Sequence, residues 1–191
     1  MQVIEQSHVS GVVTVPAAPS LFTPLIIRGI TLPNRIGVSP MCEYSSEDGF
    51  ATDWHLVHLG SRAVGGAGLV VVEATAIEPQ GRITSGDLGL WKNEHIEPLR
   101  RITAFVESEG SVPGIQLAHA GRKASTKVPW EGGASISPGE PNGWQAVAPS
   151  PIPFRNSDPI PRELSKAEIQ RLVDAFAAST RRALAAGFDA N

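Results

Sequence analysis

The sequence has little sulfur and little charge of either sign. Among 191 residues there is one cysteine, Cys42, so an internal disulfide is excluded and nothing requires an oxidising compartment. We therefore expect a cytoplasmic protein. Lysine and arginine number 16 against 19 aspartate and glutamate residues, for a formal net charge of -3, and the basic residues form no cluster. A nucleic-acid partner is not expected, because such surfaces neutralise phosphates with clustered basic side chains.

The sequence also contains no long hydrophobic run, and we expect no signal peptide. No basic residue precedes Arg28, and the apolar tract over residues 9–18 is interrupted by serine, glycine, threonine and proline. Such a tract is neither a secretory signal nor a spanning helix, so no membrane association is expected. Residues 1–20 show no sustained period and predict a flexible leader, followed by a single domain over residues 21–191.

The domain alternates strand-like and helix-like segments. Two β-prone runs around Arg28-Gly29 predict a hairpin. Strands are then predicted at residues 36–38, 69–75 and 112–117, helices at 54–64 and 98–109, a third helix from the capping box at 165–168 to Gly187, and the start of a fourth strand at 188–189. This alternation is typical of a parallel sheet, and three strand–helix units fit either half a barrel or a small open sheet. A complete eight-fold α/β barrel takes about 250 residues, so the chain is too short for one.

A long stretch over residues 124–161 is rich in proline, glycine, serine and tryptophan and shows little periodicity. An irregular loop of this length is more often a functional lid than a linker. Its large aromatic side chains either form an apolar wall over a ligand or anchor the loop; they are Trp130, Trp144 and Phe154.

Polar side chains follow the ends of all three predicted strands. The first strand runs into Ser39, Cys42 and Tyr44, the second into Glu73 and Thr75, and the third into Gln116, His119, Arg122 and Lys123. The carboxyl ends of parallel strands lie on one face of a barrel, so these groups predict a shared site. Cys42 is a candidate nucleophile there, although a lone cysteine is more often a small buried hydrophobe.

Two histidines and two glycine pairs suggest other kinds of site. His55 and His58 share one face of the first predicted helix, but no third ligand at a suitable spacing accompanies them. We expect packing or capping roles and no metal site; a metal-dependent barrel hydrolase, which would use these residues or His119, is the less favoured alternative. Gly65-Gly66 and Gly132-Gly133 lack the G-x-G-x-x-G spacing that seats a pyrophosphate, so a nicotinamide cofactor is not bound in a dinucleotide fold.

Several motifs, in their order along the chain, resemble the Old Yellow Enzyme family of FMN-dependent NAD(P)H oxidoreductases. The matching segments are residues 32–35 (LPNR), 39–46 (SPMCEYSS), 54–55 (WH), 68–76 (GLVVVEATA), 81–83 (GRI) and 116–123 (QLAHAGRK). The resemblance runs from about residue 21 to residue 189. Cysteine after Ser-Pro-Met, where other members carry threonine, is similar to the branch of small bacterial ene-reductases that includes the xenobiotic reductases.

The resemblance implies a fold and a set of site residues. The fold is an FMN-binding (β/α)8 TIM barrel, of which this chain contains the amino-terminal half. The flavin is then lined by Ser39, Pro40, Met41 and Cys42, receives backbone contacts from Ala74, and presents its polar edge to the amide of Gln116. In this reading Cys42 tunes the redox potential, and Tyr44 positions the substrate.

The resemblance also implies the reaction. NADPH or NADH reduces FMN, which then passes a hydride to a small activated alkene, an unsaturated carbonyl or nitro compound. In the family a histidine pair follows a Gly-Phe-Asp segment, whereas here Gly187-Phe188-Asp189 is followed by two residues. We therefore expect a truncated fragment that aggregates or binds FMN poorly on its own. The alternative is a non-catalytic half-barrel that acts only by pairing with another chain or, as a homo-oligomer, with itself.

Overall fold

The computed structural model of the protein describes residues 20–189. The predicted leader over residues 1–20 therefore lies outside the described residues, apart from Ser20. Within residues 20–189, no helix has the length and apolar character needed to cross a membrane.

The domain begins with the predicted hairpin. Strands β1 (Leu25–Ile27) and β2 (Ile30–Leu32) pair in antiparallel register, with Leu25 opposite Leu32. The hairpin forms its own two-stranded sheet.

A three-stranded parallel sheet follows, in the order β3 (Gly37–Val38), β4 (Leu69–Ala76) and β5 (Val112–Ala118). The central strand β4 is almost entirely apolar up to Val72, as expected for a strand covered on both faces. Strand β3 is one residue shorter than the sequence predicts, since Ile36 lies outside it. The parallel sheet itself is confirmed.

The helices connect and cover these strands. Helix α1 (Asp53–Val64) has Thr52 as its N-cap, one of the two candidates that the sequence offers, and Gly65 as its C-cap. Helix α2 (Ile96–Ser108) begins two residues before the predicted start at Pro98. The difference arises because a 3-10 turn, Asn93–His95, leads directly into the helix, and because the first turn of a helix does not need the N–H that proline lacks.

Helix α3 (Lys166–Ala185) begins at the predicted capping box. The Ser165 hydroxyl accepts a hydrogen bond from the Glu168 backbone N–H, and the Glu168 carboxylate accepts one from the Ser165 backbone. Its predicted apolar stripe is largely open to solvent, because Ile169, Val173 and Phe176 are each more than a third exposed. Burial of α3 against the described residues occurs instead near its end, at Ser179 and Ala183.

One hydrophobic core lies between the sheet and helices α1 and α2. Its fully buried members come from all of these elements and from the carboxyl-terminal turn; they include Leu59, Val70, Val72, Leu99, Ile102, Ile115 and Phe188. The core packs against the sheet face covered by α1 and α2, and polar side chains occupy the carboxyl ends of the strands.

The chain returns to the sheet after α3. Phe188 is 1% exposed, and the backbone N–H of Asp189 donates to the Pro113 carbonyl oxygen on β5 at 3.1 Å. Residues 188–189 therefore lie beside β5, at the position predicted for a fourth strand. They do not form a strand within the described residues. The described residues do not close a barrel.

The long loop after β5 is irregular but anchored. Within it or at its end, β6 (Val147–Ala148) and β7 (Arg162–Glu163) form a short parallel pair, and Pro129–Glu131 is a 3-10 turn. The Ser125 hydroxyl donates to the Ile136 carbonyl and accepts from the Trp144 backbone N–H. The loop is therefore not structureless, and these contacts give it a defined path.

Candidate functional site

The site is built where the three parallel strands end. Ala74 and Gln116 are direct partners in the register of β4 and β5. The register shifts between Val72 and Ala74, so Glu73 lies at a β-bulge. Bulges redirect side chains, and they are frequent beside active sites.

Gln116 presents its amide to solvent. It is an exposed residue directly after Ile115, which is 4% exposed and part of the core. No hydrogen bond joins its amide to another group among residues 20–189. A side-chain amide carries one acceptor oxygen and two donor hydrogens, so Gln116 can pair with a ligand that has both an N–H and a carbonyl on one edge.

The segment over residues 39–44 follows β3 and approaches β4 from the side. Cys42 is half-buried, and its sulfur lies near the backbone of Ala74, which favours the thiolate form. Burial, followed by the negative charges of Glu73 and Asp87, raises the pKa of Cys42 to about 11. The side chain is therefore a thiol at neutral pH, which argues against the nucleophile considered from the sequence, because nucleophilic cysteines have lowered pKa values.

Tyr44 has an unusual main-chain conformation. Its φ is 51°, in the left-handed region that costs energy for a non-glycine residue. Gly86 lies against its carbonyl, and Ser46 donates its backbone N–H to the Gly86 oxygen at 3.0 Å. Burial, together with the neighbouring Cys42, raises the pKa of Tyr44 to about 12, so its hydroxyl is a hydrogen-bond donor at neutral pH.

The three large aromatic residues of the long loop make different contacts, and only Trp144 has the anchoring role that the sequence offered as one alternative. Trp130 is 70% exposed and meets the ring of Tyr44 edge-on, with 5.8 Å between centroids. Trp144 anchors the loop, since its indole N–H donates to the Gln80 carbonyl at 3.0 Å. Phe154 lies under the ammonium group of Lys123, 4.6 Å from the ring centroid.

The two histidines of helix α1 bind carboxylates rather than each other. His55 is 1% exposed, and its Nε2 lies 3.0 Å from Oε1 of Glu73. His58 Nε2 lies 3.1 Å from Oε1 of Glu43, whose other oxygen accepts from the Trp54 indole at 3.0 Å. The capping role predicted for this pair is confirmed at His55, whose Nδ1 accepts the Thr52 backbone N–H at 3.0 Å.

The remaining histidine of the predicted cluster is similarly paired. His119 Nε2 lies 3.0 Å from Oε1 of Glu78, and its Nδ1 accepts the Gly121 backbone N–H. In the part of the chain that the structure describes, no group of three or more His, Cys, Asp or Glu side chains is arranged to hold a metal ion.

Comparison with known proteins gives this arrangement a context. A sequence model of the family described as NADH:flavin oxidoreductase / NADH oxidase matches residues 20–190. The chain belongs to this family. It is 49% identical over 172 residues to an NADH:flavin oxidoreductase of Gibberella zeae, covering 88% of this chain and 42% of that protein. It is 47% identical over 171 residues to an NADPH dehydrogenase of Geobacillus thermodenitrificans, covering 88% and 46%.

Solved structures of the flavin oxidoreductase family have the same fold. Morphinone reductase superposes with a TM-score of 0.76 at 28% identity, over 90% of this chain and 46% of that one. An Old Yellow Enzyme homologue from Zymomonas mobilis gives a TM-score of 0.73 at 31% identity, over 90% and 47%. The resemblance to the Old Yellow Enzyme family and the prediction of the amino-terminal portion of its TIM barrel are confirmed. The chain spans about half the length of the relatives it matches.

Two buried carboxylates of this family member were not assigned a role from the sequence. Glu73 entered only as one polar residue at a strand end, and Asp87 did not enter. Asp87 is 2% exposed and accepts hydrogen bonds from the backbone N–H groups of Ile83 and Thr84 at 2.7 and 2.9 Å. Burial raises the pKa of Asp87. The available signal for Glu73 was a charged residue at the end of a run of buried apolar ones.

Proposed function

We propose that residues 39–42, Ala74 and Gln116 form the flavin-facing wall of an FMN-dependent oxidoreductase that uses NADPH or NADH to reduce activated alkenes. The observation that carries the proposal is the direct pairing of Ala74 with Gln116, beside the Cys42 sulfur, at the open edge of the sheet. Family membership supports the cofactor and the reaction class. Because the chain covers less than half of each relative, the activity is proposed for the whole protein to which this region belongs.

The residues at this edge fit an isoalloxazine ring. The exposed amide of Gln116 offers the donor and acceptor that match the ring's N3–H and an adjacent carbonyl. Met41 is 49% exposed, and its flexible, polarisable side chain provides an apolar contact for a planar ring. When bound, FMN would accept a hydride from the nicotinamide and deliver it to the substrate.

Cys42 and Tyr44 have separate roles in this proposal. Cys42 remains a thiol, and a weak S–H donor beside the flavin alters its electron affinity without forming a bond. Tyr44 remains protonated and would position the substrate by donating a hydrogen bond to its carbonyl or nitro oxygen, where negative charge develops during reduction. The exposed indole of Trp130 lies edge-on against the Tyr44 ring.

The proposal is tested with FMN and the purified whole protein to which this region belongs. Flavin fluorescence and absorbance titrations measure binding, and NADPH oxidation is followed with and without an α,β-unsaturated ketone. A saturable flavin complex whose NADPH oxidation is stimulated by the ketone supports the full proposal. Absence of flavin binding, in a preparation that circular dichroism shows to be folded, contradicts it.

A second candidate is a non-catalytic module that pairs with another chain or with a second copy. The observation in its favour is the exposed apolar face of α3, which includes Ile169, Val173 and Phe176. Two measurements distinguish the candidates. A flavin enzyme changes the absorbance spectrum of added FMN by binding it, whereas a pairing module shows by light scattering a mass that rises with protein concentration. A concentration-dependent mass without flavin binding would favour the module.

A further inference from the structure

Glu73 occupies an unusual position for a charged residue. It is 2% exposed, and it lies at the bulge of the central strand β4, between Val72 and the flavin-wall residue Ala74. Its Oε2 accepts the backbone N–H of Glu43 at 3.1 Å. Glu43 directly follows Cys42, so this bond connects the central strand to the segment that carries the thiol.

The second oxygen of Glu73 is held from the opposite side by His55. The Nδ1 of His55 accepts the backbone N–H of Thr52 at 3.0 Å, which places the ring proton on Nε2. Nε2 then donates to Oε1 of Glu73 at 3.0 Å. Since His55 is the third residue of helix α1 and is fixed by the helix cap, the carboxylate is held by a rigid element.

The space around this pair leaves no room for a ligand. Glu43, His55, His58 and Glu73 border a cavity of about 10 Å³, between β4 and helix α1. A volume of this size accommodates at most one water molecule. The four polar side chains are therefore not a second binding site, and their hydrogen bonds serve the segment in front of them.

We propose that Glu73, oriented by His55, is a positioning residue that fixes the main chain at Glu43 and thereby the location of the Cys42 sulfur beside the flavin. This inference rests on the proposed flavin wall, but its geometry can be tested without flavin. A buried hydrogen-bonded carboxylate of this kind holds a segment in one conformation, because release of the Glu43 N–H would leave the buried Oε2 of Glu73 without a donor.

The charge of Glu73 has a second effect on the same sulfur. The negative charges of Glu73 and Asp87 favour the thiol form of Cys42. The nearby Tyr44 hydroxyl and Ala74 backbone favour the thiolate. Burial is the largest of all these effects and also favours the thiol. Removal of the Glu73 charge therefore lowers the pKa of Cys42 without eliminating the effect of burial.

The test uses Cys42 as its own probe, because it is the only cysteine in the chain. The alkylation rate of the flavin-free protein by iodoacetamide is measured from roughly pH 7 to 10, a range in which the rate follows the thiolate fraction. For Glu73→Gln we expect alkylation about threefold faster at a fixed pH, which corresponds to a pKa lower by about half a unit. We also expect faster amide hydrogen exchange over residues 39–46. The neutral amide of glutamine is a weaker acceptor for the Glu43 N–H than a carboxylate, and its NH2 group cannot accept the hydrogen bond from His55.

Glu78→Gln is the matched control. Glu78 also pairs with a histidine at 3.0 Å, but its partner is His119, and the Glu43 N–H donates to Glu73 instead. This variant is expected to keep the wild-type alkylation rate and the wild-type exchange over residues 39–46. Thermal unfolding of all three proteins shows that they are folded.

A folded Glu73→Gln protein with wild-type alkylation and exchange overturns the proposal. If Glu73→Gln does not fold, amide hydrogen exchange of the wild type decides. Protection of the Glu43 N–H, which donates to Glu73, supports the inference, whereas exchange at the rate of an unprotected amide overturns it. None of these results depends on FMN, so a failure of the proposed flavin site is recognised separately by titration with FMN.

Discussion

Ala74 and Gln116 face each other across neighbouring parallel strands, forty-two positions apart in the sequence and paired in register. One offers its main chain and the other a free amide at the same edge of the sheet. The β-bulge at Glu73 directly precedes this pair and shifts the register so that Ala74, not its neighbour, lies opposite Gln116. The candidate flavin wall therefore depends on a local irregularity of the central strand.

Gly86→Ala tests the support of the Tyr44 turn. A Cβ at Gly86 would lie 2.6 Å from the Tyr44 carbonyl oxygen, so the two main-chain segments must separate. We expect a loss of roughly 1–3 kcal/mol in the free energy of unfolding, measured by denaturant titration. Gly29→Ala is the control, because a Cβ there meets no atom within 4 Å. Equal stabilities for the two variants would show that the Tyr44 turn tolerates the displacement.

Phe188→Ala tests the packing of the carboxyl-terminal turn against the core. The ring is 1% exposed among residues of the main core, so its removal should cost about 3–5 kcal/mol in a denaturant titration. Phe22, which is 61% exposed, provides the control as Phe22→Ala, with a change expected within about 0.5 kcal/mol. Similar losses in both variants would contradict the assignment of Phe188 to the core.

Glu168→Gln tests the electrostatics of the α3 cap. Hydrogen bonds from the Ser165 backbone and hydroxyl, followed by the interaction with Arg162, lower the pKa of Glu168 from 4.5 to about 2. Because the pKa of Glu168 is lower in the folded than in the unfolded protein, ionised Glu168 stabilises the fold above the unfolded-state pKa. This contribution is lost as the pH falls through the folded-state pKa. The wild type should therefore have the higher Tm at pH 7, and the difference should shrink progressively as the pH falls below 4.5.

The adjacent Glu163→Gln variant separates the cap from general surface charge. Glu163 is exposed, and its carboxylate forms no ion pair within the described range of residues 20–189. The Tm of Glu163→Gln should differ little from that of the wild type both at pH 7 and at about pH 3. A Glu168→Gln difference that stays constant from pH 7 to about pH 3 would contradict the assigned pKa.

Those parts of the fold that depend on local sequence were predictable. The apolar run of β4 and the capping box of α3 specify their elements through contacts within a few residues. The start of α2 was missed because a 3-10 turn continues into the helix without a separate capping residue. The exposure of the α3 stripe was not predictable either, since helical spacing shows that a face is apolar but not whether other residues cover it.

The site was predictable in its residues but not in its internal contacts. The motifs around Cys42 and Gln116 suggested a shared edge, and the parallel register brings Ala74 and Gln116 together there. The Glu73–His55 pair was not predictable, because it depends on a bulge that changes the direction of Glu73 and on partners that lie 18 and 30 residues away. Sequence periodicity contains no signal for such contacts.

The central claim is that the open amide of Gln116 is part of a flavin site. Its most direct test is an FMN titration, followed by flavin fluorescence, of the whole protein to which this region belongs. The wild type is compared with Gln116→Ala and with the control Gln170→Ala. Gln170 lies on the exposed surface of α3, so its variant should bind like the wild type. We predict saturable binding that is about tenfold weaker in Gln116→Ala, from the loss of about 1–2 kcal/mol of hydrogen bonding. Equal affinities for all three proteins, or no saturable binding by the folded wild type, would contradict the account.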